Sequence, residues 1–502
     1  MSDHQLTIDS GWSTTLLTSR GTLHTVGVLD GLRVSAAIEH LAPLGFPVGY
    51  PSSSENAQYD EPAIAIRQFS AGRSHILAVS DSGRTWSWYH TKSAALQIKF
   101  ANVEMNETNL SDAPDMVSTY GKVRQVVAGW SLSSAYVNGY GIIVWAPVER
   151  DHDDDATDTM LVLENVEVPK TGYQRIQDTR AEPDERRHLG EEVGAVLNYI
   201  MLEHFVVFVT DIGKVFCGRF EERNRVENVL ELQTLRSSKG AAVDVQGSFR
   251  RFSVFKDKEV ITSDQDYLQA CWDQQRDNPD QRGIPGLHKI PALQDNDVIS
   301  VAFGDYHYHA LHSNGKITSY GSELQACGAL GLGGEIDLEG HARGIVYDRF
   351  THDGGLVPHA TARGRQVWFD ERRKEWIHYI MQGGNNPEES DERRELFRTD
   401  HGVQGEVSEW FEQEGRAMDQ DITGDDGLGP YFALSISAAG WHSGALVLVN
   451  DELANRASSF ESSYEGQTFP RLKLADGREM PGTKDFDDWE QGRPKWQRDA
   501  EA

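Results

Sequence analysis

The fold is decided by residues 69–89, which read FSAGRSHILAVSDSGRTWSWY. This phrase contains a Gly after small residues, two variable positions, a short apolar strand, a turn with Gly and a second strand. Two strong copies follow, VVAGWSLSSAYVNGYGIIVW at 126–145 and VAFGDYHYHALHSNGKITSYG at 301–321. Because one strand pair cannot bury its own apolar face, the repetition predicts an array of stacked units.

Four weaker copies extend the array. They read IDSGWSTTLLTSRGTLHTVG at 8–27, IMLEHFVVFVTDIGKVFCG at 200–218, DVQGSFRRFSVFKDKEVITS at 244–263 and SAAGWHSGALVLVNDE at 437–452. We call the first Gly of the phrase the register position. It is occupied by Gly11, Gly72, Gly129, Gly247, Gly304 and Gly440, with Leu202 in its place in the fourth copy.

Each copy predicts an antiparallel hairpin. Its strands are rich in β-branched and aromatic residues, and Gly83, Gly213 and Gly315 supply the positive φ that a tight turn needs. Seven such units arranged around an axis make a seven-bladed β-propeller, an all-β fold that leaves only short, protected sheet edges. The alternative is a linear β-solenoid, which would show a much shorter period and little hairpin chemistry.

The repeat resembles that of the regulator of chromosome condensation family. Its Ala-Gly-x-x-His strand, turn Gly and strand-end aromatic residue correspond in the second copy to Ala71, Gly72, His75, Gly83 and Trp88. In the sixth copy they correspond to His307, Gly315, Tyr320 and Gly321, followed by the Gly-rich run 328–333. The resemblance implies a propeller of the chromosome-condensation-regulator type that holds partners across one end of the ring.

A closer likeness is to fungal-type F-box proteins with this propeller, of the SCF-associated-factor type. The residues that carry it are AGWHSGAL at 439–446 and FPRLKLADGREMPG at 469–482. In such proteins an F-box helix bundle precedes the propeller and docks onto the adaptor of a cullin-RING ubiquitin ligase. No Leu-Pro-x-Glu opening precedes the first copy here. We therefore expect a chain without an F-box, either a shortened form or a relative that never had the ligase attachment.

The spacing of the copies also predicts the domain organisation. We expect one propeller over residues 1–482, with partly helical insertions at 147–192, 265–297 and 334–433, and an acidic disordered tail at 483–502. The first insertion is acidic. The third has helical candidates at 387–398 and 406–417, and its aromatic residues favour a partly ordered cap.

Composition excludes several classes of partner. The chain of 502 residues carries 78 acidic against 48 basic residues, a formal net charge of −30. Such a field repels phosphate backbones, so we expect no binding to nucleic acid or to an anionic membrane. The three cysteines, Cys217, Cys271 and Cys327, have no paired spacing, which is typical of a reduced cytoplasmic or nuclear protein.

No motif indicates catalysis, a metal site or a cofactor. Asp151, Asp153 and Asp155 open like a calcium loop, but Ala156 and Val162 stand where that loop needs Gly and a chelating Glu. A solvated acidic loop is the favoured interpretation. His307 and His309 share one strand face and are better explained as structural histidines, because further ligands are not identifiable. There is no phosphate loop, His-Glu-x-x-His or dinucleotide-binding motif, so we predict a protein that is not an enzyme.

The two variable residues after each register position are the candidate binding residues. In the fifth copy they are Ser248 and Phe249. Every blade should present these positions at the same end of the ring. The predicted partner-binding residues are Trp12, Arg73, Trp130, His204, Phe249, Tyr306, Trp441 and His442. Trp, Tyr and Arg dominate the energetics of protein interfaces. The alternative is that these rings pack only on the neighbouring blade.

Three functions remain open from the sequence. The first is a protein-recognition propeller, the substrate-binding component related to F-box subunits of a cullin-RING ubiquitin ligase, with ligase components as partners if an F-box lies upstream. The second, implied by the founding member of the family, is a guanine-nucleotide exchange factor for a small GTPase. The third is a plain interaction scaffold.

Overall fold

The computed structural model of the chain describes residues 4–29, 38–47, 65–107, 120–147, 159–174, 190–321, 345–347, 356–358 and 428–453, with gaps of one to five residues inside several of these ranges. The described elements are mostly antiparallel strands, which confirms the predicted all-β class. The helical candidates at 387–398 and 406–417 and the acidic tail lie outside the described residues.

The chain divides into two compact units. The first contains residues 1–287 with 302–305 and 437–444, and the second contains 288–301, 306–436 and 445–502. Five sheets follow one another in the first unit, each built from neighbouring stretches of chain. This order of local sheets is that of propeller blades, whereas the blade number of seven stays a prediction.

The first three sheets contain the first three copies of the phrase. Sheet one contains β1 (His4–Asp9), β2 (Trp12–Thr18), β3 (Leu23–Val28) and β4 (Ile38–Pro43). Sheet two contains β5 (Ile66–Ala71), β6 (Ile76–Ser80), β7 (Thr85–Trp88) and β8 (Leu96–Phe100). Sheet three contains β9 (Val123–Ala128), β10 (Ser133–Val137) and β11 (Gly141–Trp145).

The insertion after sheet three returns to the sheets, which the sequence did not reveal. It forms β12 (Met160–Leu163), which pairs in parallel with β8, and β13 (Val166–Glu167), which pairs antiparallel with β11. Leu161 and Leu163 pack on the core between sheets two and three. Val162, the twelfth position of the calcium-loop pattern, therefore lies in a strand. Residues 151–155 lie outside the part of the chain described.

Sheets four and five contain the next two copies. Sheet four contains β14 (Val196–Met201), β15 (Phe205–Thr210), β16 (Val215–Arg219) and β17 (Leu230–Glu231), with short 3-10 turns at Glu222–Asn224 and Gln233–Leu235. Sheet five contains β18 (Asp244–Ser248), β19 (Arg251–Lys256) and β20 (Glu259–Asp264), and is followed by helix α1 (Gln265–Asp277). The helix starts the predicted insertion at 265–297.

The remaining strands lie wholly or partly in the second unit. They are β21 (Val298–Phe303), β22 (His307–His312), β23 (Ile317–Gly321), β24 (Ile345–Tyr347), β25 (Leu356–Pro358), β26 (Tyr431–Ala439) and β27 (His442–Val449). β21, β22 and β23 form one sheet, and β24 with β25 and β26 with β27 form pairs. The predicted hairpin turns are confirmed at Gly83, Gly213 and Gly315, where φ is +81°, +74° and +78°.

Each apolar core of the first unit lies between two successive sheets. Leu77 of sheet two shares a core with Val126 of sheet three. Tyr136 of sheet three packs with Tyr199 of sheet four in the next core, and Val207 of sheet four packs in the one after it with Val254 of sheet five. Because both faces of the middle strands are covered, all residues of β6, β10 and β15 are buried. This stacking explains why β6 and β15 are mainly apolar along their whole length and do not alternate between apolar and polar residues.

Side-chain amides join the first strands of successive sheets. Gln68 of β5 donates from Nε2 to the carbonyl oxygen of Val126 and accepts the N–H of Val126 at Oε1, both at 2.9 Å. Gln125 of β9 donates to Oδ1 of Asn198 at 3.0 Å, and Asn198 of β14 donates to the carbonyl oxygen of Val245 at 3.0 Å. These three amides lie four residues before a register position. They form an amide ladder across four sheets.

The register Gly is required by close contact, since neither Gly72 nor Gly129 has positive φ. A Cβ at Gly72 would overlap the carbonyl oxygen of Gly129 and lie 2.9 Å from Cε1 of His75. At Gly129 it would lie 3.1 Å from the carbonyl oxygen of Leu132. The turn of sheet two thus approaches the turn of sheet three closely enough to leave no room for a side chain.

Replacing Gly72 by Ala should lower the free energy of unfolding by about 2 kcal/mol, because a methyl group is forced against a backbone carbonyl. Gly45→Ala is the matched control, since a Cβ at Gly45 meets nothing within 4 Å. Denaturant titration of both variants checks the expectation. Equal midpoints for the two variants would show that the turn of sheet two is not closely packed.

Candidate protein-binding face

The turn that carries the variable residues is built in the same way in three copies. The N–H of Gly72 donates to the carbonyl oxygen of His75, that of Gly129 to Leu132 and that of Leu202 to Phe205, each at 2.8 Å. The residue at the register position starts a short turn, and the two variable residues occupy its middle. The fourth copy keeps this turn although Leu202 replaces Gly, with the Leu202 side chain buried in the core between sheets four and five.

Backbone hydrogen bonds join the turns of successive copies. The N–H of Arg73 donates to the carbonyl oxygen of Gly129 at 3.4 Å, and that of Glu203 to Phe249 at 2.7 Å. The N–H of Asp305 donates to the carbonyl oxygen of Gly440 at 2.9 Å. The first variable residue is the donor each time. The variable positions are therefore fixed against a neighbouring turn by their own backbone.

Two aromatic rings and two guanidinium groups form a stack on these turns. The Trp130 and Phe249 rings are stacked, with centroids 4.1 Å apart and planes 29° apart. Cζ of Arg73 lies 4.1 Å from the Trp130 centroid, and Cζ of Arg250 lies 5.1 Å from the Phe249 centroid. We call Arg73, Trp130, Phe249 and Arg250 the turn stack. Both rings are partly exposed, in contrast to the fully buried Trp86.

An ion pair closes one end of the turn stack. Nε of Arg250 donates to Oε2 of Glu203 at 2.7 Å, and Nε2 of Gln265 donates to the same oxygen at 3.3 Å. Partial burial of Glu203 acts to raise its pKa, but the hydrogen bonds from Arg250 and Gln265 lower it overall. The N–H of His204 donates to Oε1 of Gln265 at 3.2 Å. Arg250 is thereby held by a carboxylate of its own chain.

Asp305 is half-buried near the same turns. Burial raises the pKa of Asp305, and the positive charges of Arg251, Arg73 and His442 oppose that rise. Asp305 thus lies within electrostatic reach of Arg73 without an ion pair to it, whereas Glu203 is hydrogen-bonded directly to Arg250.

The structure brings five of the predicted binding residues together. Arg73, Trp130 and Phe249 belong to the turn stack, His204 follows Glu203, and His442 is close enough to influence Asp305. Tyr306, Trp441 and the side chain of Trp12 lie outside the described residues.

The expected variable pair of the fifth copy is wrong by one residue. Ser248 belongs to β18 and pairs directly with Arg251, so the turn residues are Phe249 and Arg250. The turn lies one residue later relative to the register Gly than in the second, third and fourth copies, and Phe249 takes positive φ, +54°. Sequence reasoning therefore missed Arg250. The adjacent basic pair Arg250 and Arg251 after an aromatic residue was the only available signal.

The family-type His of the second copy has a structural role. His75 is completely buried, and its Nε2 lies 2.8 Å from Oγ of Ser133 in sheet three. Nδ1 has no hydrogen-bond partner within the described part of the chain. Burial lowers the pKa of His75 to about 4. The neutral ring thus bonds one sheet to the next.

The described residues contain no group of three or more His, Cys, Asp or Glu side chains placed to hold a metal ion. His307 and His309 are both buried in β22, with ring centroids 5.3 Å apart. Cys217 and Cys271 are free thiols, and burial raises the pKa of both. None of the helices in the described ranges is long and apolar enough to cross a membrane.

Two curated fungal proteins are similar to this chain. SCF-associated factor 1 of Saccharomyces cerevisiae is 24% identical over 267 residues, which cover 53% of this chain and 34% of that protein. F-box protein pof9 of Schizosaccharomyces pombe is 25% identical over 280 residues, which cover 54% of this chain and 48% of that protein. The chain thus spans between a third and half of the length of these relatives. No family model matches the sequence.

Solved structures of propeller type are also similar. Prp20p from Saccharomyces cerevisiae aligns with a TM-score of 0.40 and 11% identity, over 89% of this chain and 84% of that chain. Human WBSCR16 aligns with a TM-score of 0.39 and 13% identity, over 66% of this chain and 79% of that chain. Both scores are low, so the fold rests on the strand order and the intersheet cores of the chain itself.

Acid should destabilise the protein through His75. In the unfolded chain this His has a pKa near 6.5, whereas the folded value is about 4, so only the unfolded state gains a proton between these values. The free energy of unfolding should be constant above pH 6.5 and fall by roughly 3 kcal/mol toward pH 4. Denaturant titration at a series of pH values measures this slope.

His75→Asn should flatten that slope, because the titrating group is removed. His204→Ala is the control, since His204 is exposed and should leave the slope unchanged. Identical slopes for the wild type and His75→Asn would contradict the assignment of acid sensitivity to His75.

Proposed function

We propose that the chain is a non-enzymatic protein-recognition propeller, and that it is the substrate-binding component related to the F-box subunits of a cullin-RING ubiquitin ligase. The observation that carries the proposal is the turn stack. Trp130 and Phe249, from turns 119 residues apart, present partly exposed rings beside two arginines. Aromatic residues and Arg are the residue types enriched at the energetic centre of protein interfaces.

The turn stack is suited to binding because it is already organised. Trp130 contacts both Phe249 of the fifth copy and Arg73 of the neighbouring second copy. Both rings nevertheless keep exposed surface. Because the rings are already held in place, their side chains lose little conformational entropy when a partner covers them, which favours affinity.

The ligase part of the proposal comes from the relatives. Their names, SCF-associated factor 1 and F-box protein pof9, connect those proteins to a cullin-based ligase. Because the match spans only part of their length, this chain is assigned only the recognition of the substrate. In such proteins the F-box makes the attachment to the ligase.

Two measurements in the source organism test the proposal. The first is the capture of associated proteins, and the second is the half-life of each captured protein. Proteins that associate with the full chain are quantified for the wild type, for Trp130→Ala and for Tyr431→Ala. Tyr431 is the control, an exposed aromatic residue on β26. A true substrate should be captured about tenfold less by Trp130→Ala, the loss expected for a hot-spot Trp, and normally by Tyr431→Ala.

Turnover separates a ligase substrate from a simple partner. A protein whose capture depends on Trp130 should have a longer half-life in cells that lack the chain or carry Trp130→Ala. If no captured protein depends on Trp130, the turn stack is not the binding site. If Trp130-dependent partners keep their half-lives, the ligase role is wrong and a plain scaffold is supported.

A further inference from the structure

Arg73 differs from Arg250 and Arg219, two other arginines of the first unit that lie over aromatic rings. Arg124, whose guanidinium lies 5.5 Å from the Tyr136 ring, also has no ion pair among the described residues, but it lies away from the turns. Arg250 lies over Phe249 and binds Glu203, and Arg219 lies over Trp272 and binds Glu221 at 2.8 Å. Arg73 lies over Trp130 at the shortest of these distances, 4.1 Å, and is exposed. No carboxylate among the described residues lies within ion-pair distance of its guanidinium.

This difference stands out because acidic groups are abundant in the chain. The chain has 78 acidic and 48 basic residues, and ion pairs with carboxylates are formed by Arg84, Arg219, Arg236 and Arg250. Asp305 is close enough for the charge of Arg73 to act on its pKa, but no ion pair joins the two side chains. Arg73 is therefore a positive charge held in place by Trp130 and left without a close partner of its own.

The stacking also orients the donors of Arg73. A guanidinium that lies over a ring uses its face, so its N–H groups along the edge remain free to bind another group. A carboxylate fits that edge with two parallel hydrogen bonds. The apolar surface of Trp130 and Phe249 lies next to it and would exclude water from such a pair.

We propose, building on the proposed function, that Arg73 is a carboxylate-binding site for the protein partner. An acidic group of an extended partner segment pairs with the edge of the Arg73 guanidinium, and an adjacent apolar side chain packs on Trp130 and Phe249. Charge complementarity favours an acidic partner segment at this position. The net negative charge of the chain repels such a segment elsewhere, whereas Arg73 attracts it. The acidic group is an Asp or Glu side chain or a free chain terminus.

Selection of random peptides displayed on phage against the full chain tests the site. Peptides from the wild type should carry Asp or Glu beside an apolar residue, or end in a free carboxylate. In synthetic copies, Asn or Gln in place of the acid, or an amidated terminus, should weaken binding about tenfold or more, as for the loss of a charge-assisted pair. Which of the two changes weakens binding identifies the source of the carboxylate.

Charge reversal gives the decisive comparison. Arg73→Glu should abolish the preference for acidic peptides, and Arg73→Lys should keep the preference with weaker binding, because Lys lacks the planar fork. Arg124→Glu is the control: Arg124 is exposed on β9, with its guanidinium 5.5 Å from the Tyr136 ring, away from the turns. It should select the same acidic peptides as the wild type.

The possible failures are distinguishable. Peptides that require Trp130 but carry no acid, or that bind Arg73→Glu equally well, overturn the carboxylate site and leave the binding face intact. Failure to select any peptide that requires Trp130 overturns both proposals. Self-association of the wild type that Arg73→Glu abolishes would show that an acidic segment of a second copy occupies the site, which also contradicts a separate partner.

Discussion

The close approach of one turn to the next is the constraint on which the first unit depends. The N–H of Arg73 reaches the carbonyl oxygen of Gly129 only because Gly72 has no side chain to separate the two turns. The amide ladder fixes the strands that lead into these turns, with Gln68 bonded to Val126 on the neighbouring strand. Since all of these groups are polar and partly buried, leaving one unpaired would cost more than the net gain from forming its bond. The contacts thus fix the order and spacing of the sheets.

The same constraint creates the candidate face. The backbone of each turn is fixed by its contacts within the fold, so only the side chains at the two variable positions are free to differ. In the second, third and fifth copies these positions hold Arg73, Trp130 and Phe249, which contact each other. The fold therefore gathers into one stack residues that the sequence spreads over more than a hundred positions. In the proposed function, recognition is assigned to residues that contribute little to the cores between the sheets.

Much of the fold could be predicted from sequence because its causes are local. The register Gly recurs in six of the seven copies, a turn Gly stands at 83, 213 and 315, and short-range chemistry determines both features. Long-range contacts leave no comparable pattern in the amino-acid sequence. The parallel pairing of β12 with β8, and the stacking of Trp130 on Phe249 instead of on the intervening copy, depend on which surfaces meet after folding. The predicted turn residues match the structure where the register is regular, and are displaced by one residue in the fifth copy, where the turn lies one position later relative to Gly247.

Single-residue amide hydrogen exchange on the intact chain tests the central claim, that neighbouring turns are joined by their backbone. The N–H groups of Glu203 and Asp305 donate to the carbonyl oxygens of Phe249 and Gly440. Ser131 lies in an exposed turn position, and its N–H has no such bond to any of the described residues. The account predicts that Glu203 and Asp305 exchange roughly tenfold or more slowly than Ser131, after correction for intrinsic rates. Equal exchange at the three positions would show that the turns are independent, and would contradict a preorganised face.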